Sequence, residues 1–82
     1  MEIKILGGGC PKCERLEKLA RQVVAEQGVE ANFVKVKDFN EIMTYDVMTT
    51  PALVIDGQVK SSGRIPQKDE VTTWIQAEQK GA

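Results

Sequence analysis

Cys10 and Cys13 are the only cysteines of the chain, and Pro11 and Lys12 stand between them. A pair with this spacing suits three chemistries: thiol–disulfide exchange, coordination of a soft metal, and a structural crosslink. Exchange needs an exposed, low-pKa thiol to attack a disulfide and a second thiol to resolve the mixed disulfide. Structural zinc takes four ligands, usually Cys or His. The sequence has no histidine and only two cysteines, so an all-Cys zinc site would need two copies. A two-coordinate Cu(I) site stays open, because thiolates suit that ion. The crosslink is the weakest of the three. The chain opens "MEIKIL", without a charged n-region ahead of a long apolar core, and its apolar runs are too short to span a bilayer. We therefore expect neither a signal peptide nor a membrane segment, and a cytoplasmic location, where lasting disulfides are disfavoured.

The elements around the pair make its two sulfurs unequal. "EIKIL" (Glu2 to Leu6) reads as a strand with apolar residues on both faces, ended by Gly7, Gly8 and Gly9. From Pro11 the period becomes helical: Leu16, Leu19, Ala20, Val23 and Val24 recur at three- and four-residue steps, and Gly28 follows as a C-terminal glycine. Pro11 suits the first helical position, where its missing N–H costs nothing. Cys13 falls on the apolar arc one turn inside, whereas Cys10 precedes the helix and stays open to solvent. Unpaired N–H groups at the helix start and the charge of Lys12 favour a thiolate at Cys10. The pattern makes Cys10 the nucleophile, Cys13 the resolving thiol and Lys12 an electrostatic helper. Glu14 with Lys18 and Glu17 with Arg21 are i,i+4 pairs on the solvated face.

Beyond the helix, Ala31 to Val36 reads as a second strand returning parallel. Asp38 looks like the N-cap of a short helix, with Phe39, Ile42 and Met43 facing inward. "TTPALVIDGQVK" reads as a hairpin: Ala52 to Ile55, the turn Asp56-Gly57, and Gln58 to Ser61. After the loop "SSGRIP", Pro66 is expected to start a last helix that turns Val71, Trp74 and Ile75 to the sheet. The order is β-α-β-α-β-β-α, in one domain over residues 1–82, without internal repeats. Lys and Arg total 11 against 12 Asp and Glu, a net charge of −1. That balance provides no electrostatic footprint for nucleic acid and no polybasic membrane patch.

The C-x-x-C after the first strand, the Thr-Pro before the hairpin and the element order together carry a resemblance. From Glu2 to about Gln79 the chain resembles the small thioredoxin-like redox-active disulfide proteins, a group close in size to glutaredoxins. The resemblance implies an α/β thioredoxin-like fold with a central four-stranded mixed sheet flanked by helices. It implies a thiol–disulfide oxidoreductase, a small electron carrier that reduces protein disulfides. No bound cofactor is implied, because the redox-active disulfide Cys10–Cys13 itself carries two electrons. Implied partners are disulfide-containing proteins and an electron donor, either a flavoprotein of the thioredoxin-reductase type or glutathione, with the protein a monomer. Pro51 is implied to be cis and to pack beside the disulfide, with Gly9, Thr49, Thr50 and Pro51 forming a docking edge for an extended substrate segment. Thr49 and Thr50 either supply a hydroxyl near the thiolate or serve as β-branched strand residues.

The sequence also departs from the patterns of the families it resembles. Thioredoxins carry Trp before the first Cys and Gly-Pro between the pair, where this chain has Gly9 and Pro11-Lys12. Pro after the first Cys resembles glutaredoxins. The basic residue that glutaredoxins place shortly before the cysteines is replaced by glycines, and their glutathione loop has only a partial match in Ser62-Gly63-Arg64. Small metal-transfer domains share the C-x-x-C position but follow β-α-β-β-α-β order, and usually carry Met where this chain has Gly8.

Overall fold

Period-2 apolar runs and one long 3.6-period run become seven elements among the described residues, which are 1–7, 11–47 and 49–80 of a computed structural model. They are β1 (Glu2–Leu6), α1 (Pro11–Gln27), β2 (Asn32–Val36), α2 (Phe39–Met43), β3 (Ala52–Ile55), β4 (Gln58–Ser62) and α3 (Lys68–Lys80). The strands form one mixed sheet in the order β2-β1-β3-β4. β1 and β2 are parallel, joined through α1, and β1–β3 and β3–β4 are antiparallel.

Register explains the two cores. Ile3 pairs with Ile55 and Ile5 with Leu53, so these four share a face. That face packs against Leu16, Ala20, Val23 and Val24 of α1 and against Val71 and Ile75 of α3. The alternate residues Leu6, Val36, Ala52 and Val54 point to the other face and meet Ile42 and Val47. β3 is buried along its whole length, as a central strand covered on both sides must be.

Local chemistry sets the ends of the elements. Gly28 adopts φ +67°; Val29 N–H donates to Val24 O at 3.1 Å and Gly28 N–H to Ala25 O at 3.3 Å. These are the two bonds of a Schellman cap. Asp56 (φ 48°) and Gly57 (φ 82°) supply the left-handed pair of a tight hairpin turn. The Asp56 side chain accepts from Glu2 N–H at 2.8 Å, and Asp56 N–H donates to Glu2 O at 2.8 Å. The hairpin is thereby locked to β1.

Two expectations need correction. Asp38 does cap α2, accepting from Asn40 N–H at 2.9 Å, and Ile42 is buried, but Phe39 is 70% and Met43 44% exposed. A five-residue helix makes little more than one turn and directs one side chain inward; Val47, in the turn that follows, fills the remaining space on the sheet. Pro66 is not the first residue of α3. The helix begins at Lys68, and the Gln67 carbonyl accepts the Val71 N–H at 3.2 Å, so Pro66 is a buried residue of the approach. Val71 and Ile75 are buried as expected, with Trp74 packed at the edge of the same core.

Candidate functional site

The site is built on the carboxyl end of β1. α1 opens at Pro11, the first helical residue, and Pro11 and Lys12 are both exposed. Cys13 is 5% exposed and begins the buried stripe of Leu16, Ala20, Val23 and Val24, as the helical period requires. Its sulfur is disulfide-bonded. Cys10 and Gly9, nominated above as nucleophile and docking residue, lie outside the described residues.

Gly7 extends the ladder one residue past β1, its N–H donating to Val36 O at 2.8 Å, and takes φ +120°. A Cβ built on Gly7 would stand 3.0 Å from Cys13 Sγ, 3.1 Å from Thr50 Cβ and 3.5 Å from Thr50 Cγ2. The Cys13 sulfur and the Thr50 side chain therefore converge on the bare α-carbon of Gly7. Thr50 turns its carbon atoms to that point. The Thr50–Pro51 peptide bond is cis. Pro51 is buried between exposed Thr50 and the start of β3, and its carbonyl accepts the Gly63 N–H at 2.9 Å.

Gly63 anchors the same segment. It has φ +72°, and a Cβ there would overlap Thr49 Oγ1, so only glycine admits Thr49 over this loop. Arg64, the next residue, forms a two-pronged bond to Glu70 at the start of α3: Nη2 to Oε2 at 2.7 Å and Nη1 to Oε1 at 3.3 Å. The pair lowers the Glu70 carboxyl pKa and raises that of Arg64.

The structure thus brings Cys13, Thr50 and Pro51 to one end of the sheet, with Thr49 on the adjoining loop. Gly7 and Gly63 were missed as site residues. From sequence the Gly7–Gly9 run reads as room for close backbone approach by a substrate protein or simply as a turn, and Gly63 as a turn or cap glycine. The positive φ of Gly63 is within reach of sequence reasoning, but the partner each α-carbon meets is not.

A cleft of about 80 Å³ opens beside the sulfur, lined by Ile5, Gly7, Cys13, Glu14, Glu17, Lys35 and Lys37. A larger groove of about 580 Å³ runs past Met1, Val29 and Ala31, at the opposite end of β1, and has no part in this site. In the cleft, the Glu17 carboxylate takes Lys35 Nζ on one oxygen and Arg21 Nε on the other, both at 2.9 Å. The expected Glu17–Arg21 pair is therefore present and shared with β2. The hydrogen bond from Lys35, then that from Arg21, hold the Glu17 carboxyl below its ordinary 4.5 against the opposing effect of burial.

A carboxyl depressed in the folded state adds stability above its unfolded pKa, and that stability is lost as pH falls through the folded pKa. Glu17→Gln should cost about 0.5–1 kcal/mol at neutral pH, the range of a partly solvated ion pair. The gap between wild type and variant should close as pH is lowered below 4.5 toward the folded pKa. Urea unfolding of both proteins across that range measures it; a gap independent of pH would show that the ion pairs contribute nothing.

The sequence matches the thioredoxin domain family over residues 1–76. The chain belongs to that family. It is 41% identical over 71 residues to a thioredoxin of Methanothermobacter thermautotrophicus, covering 87% of this chain and 92% of the relative. It is 39% identical over 69 residues to a thioredoxin of Methanocaldococcus jannaschii, covering 84% of this chain and 79% of that one. Among solved structures, the fold is similar to that of reduced Escherichia coli glutaredoxin, with TM-score 0.61, 20% identity, and coverage of 98% of this chain and 99% of that one. That likeness establishes the thioredoxin-like fold: a mixed four-stranded sheet flanked by helices. Among the described residues, no helix is long and apolar enough to cross a membrane.

Proposed function

We propose that this domain is a thiol–disulfide oxidoreductase, a small electron carrier that reduces protein disulfides through Cys10 and Cys13. The Cys10 thiolate attacks a client disulfide, forming a Cys10–client disulfide and releasing one client thiolate, which takes up a proton. The Cys13 thiolate then attacks the Cys10 sulfur, closing the Cys10–Cys13 disulfide and releasing the second client thiol. Two electrons and two protons leave the dithiol, and a donor restores them. No bound cofactor enters these steps.

The observation that carries this reading is the seat of Cys13. Its sulfur is disulfide-bonded and buried one turn inside a helix, against a Thr-Pro segment whose exposed Thr49 and Thr50 offer a docking edge. Pro11 starts the helix, and its terminal field together with Lys12 favours the Cys10 thiolate. Relatives named thioredoxin support the same chemistry at family level. The donor is a flavoprotein of the thioredoxin-reductase type, or glutathione. The loop Ser62-Gly63-Arg64 matches the glutathione-gripping loop only in part, which favours the flavoprotein. The protein works as a monomer in the cytoplasm.

Equilibration in a graded series of thiol redox buffers tests the reading. A single dithiol–disulfide transition is expected between about −200 and −280 mV, the range of cytosolic carriers. If no disulfide forms at any poise while Cu(I) binds tightly and passes to an acceptor, the pair is a metal-transfer site. Adding a flavoprotein reductase or glutathione to the oxidised protein identifies the donor.

A further inference from the structure

We infer, on the redox reading of Cys10 and Cys13, that Gly7 is a positioning residue that sets the balance between the disulfide and dithiol forms. A Cβ at Gly7 would stand 3.0 Å from the disulfide-bonded Cys13 sulfur and 3.1 Å from Thr50 Cβ. Both distances are shorter than the ordinary contact range of about 3.5–4.0 Å. To admit the methyl, the Cys13 sulfur and the Thr50 side chain must each give by a few tenths of an ångström. On the Thr50 side the chain is held by the Gly63 N–H bond to Pro51 O.

The two redox forms differ in how they bear this crowding. In the disulfide, the S–S bond fixes the Cys13 side chain against Gly7. In the dithiol, Sγ regains rotation about Cα–Cβ, and the cleft that Gly7 and Cys13 both line gives it somewhere to turn. A side chain at position 7 therefore opposes the disulfide more than the dithiol. The φ of +120° adds backbone strain for any L-residue, but that strain is common to both forms and cancels in the redox equilibrium.

The reaction to measure is oxidised protein plus reduced dithiothreitol giving protein dithiol plus the cyclic disulfide of dithiothreitol. Gly7→Ala should shift its equilibrium about tenfold toward the protein dithiol, equal to about 30 mV for a two-electron couple. Gly28→Ala is the control. Gly28 also has positive φ (+67°), but a Cβ there meets nothing within 4 Å, so it should destabilise both forms and leave the equilibrium within twofold of wild type. If Gly7→Ala is too unstable to isolate, Gly7→Ala/Thr50→Gly, which clears the second contact, is compared with Thr50→Gly alone, and a shift in the same direction is expected. An unmoved equilibrium at position 7, in a wild-type protein that cycles normally, overturns the inference. A wild-type protein that forms no disulfide at any poise overturns the redox reading itself, and the two failures are told apart in one titration.

Discussion

Cys13→Ser is expected to accumulate a stable mixed disulfide with client proteins, whereas Cys10→Ser traps little or none. The asymmetry follows from where helix α1 puts its residues. Cys13 shares the buried arc of Leu16, Ala20 and Val23 and is 5% exposed, so an incoming disulfide reaches its sulfur poorly. In the proposed mechanism Cys10, the residue before Pro11, is the attacking thiolate, which a helix terminus and Lys12 would favour. With the resolving thiol gone, exchange stops after the first attack, because nothing nearby expels the client. The trapped species is reducible and visible on a non-reducing gel of lysate incubated with each variant. Equal trapping by both variants would mean that burial does not decide which sulfur reacts. Trapping by neither, with reduction of insulin-type disulfides also absent, would remove the oxidoreductase reading.

Much of this site was legible in the sequence because its determinants are local. A strand, a proline and an apolar stripe fix where α1 starts and put Cys13 on its buried face. Asp56-Gly57 announces the hairpin, because few other pairs accept two left-handed residues. The failures have physical causes as well. α2 is too short for periodicity to say which of Phe39, Ile42 and Met43 faces the sheet, and Val47 in the next turn took part of the space. Pro66 suits a helix start and equally suits the extended approach to one, so its position alone left the boundary of α3 open. Gly7 and Gly63 owe their importance to side chains far along the chain, Thr50 with Cys13 and Thr49 respectively. Contacts of that kind leave no local pattern.

The same distinction between local pattern and actual packing makes Leu16 and Phe39 an informative pair. From sequence, both read as core residues of a helix. Leu16 is fully buried among Ile3, Ile5, Leu53 and Val71, one turn beyond Cys13, and it holds the start of α1 against the sheet. Leu16→Ala removes buried methyl groups and leaves a cavity, at a cost of about 2–5 kcal/mol. A domain of 82 residues has about 4–12 kcal/mol in total, so this one change removes a large share of the stability. At about 4–8 °C per kcal/mol for a domain of this size, Tm should fall by at least about 8 °C. Leu16→Met, which nearly conserves volume, should cost less than about 1.5 kcal/mol. Phe39→Ala should stay within about 0.5 kcal/mol of wild type, because the ring is 70% exposed and leaves no cavity behind. Denaturant and thermal unfolding of the three variants decide the matter. Comparable losses from Leu16→Ala and Phe39→Ala would mean that α2 turns Phe39 inward after all, and that the described packing of this face is wrong.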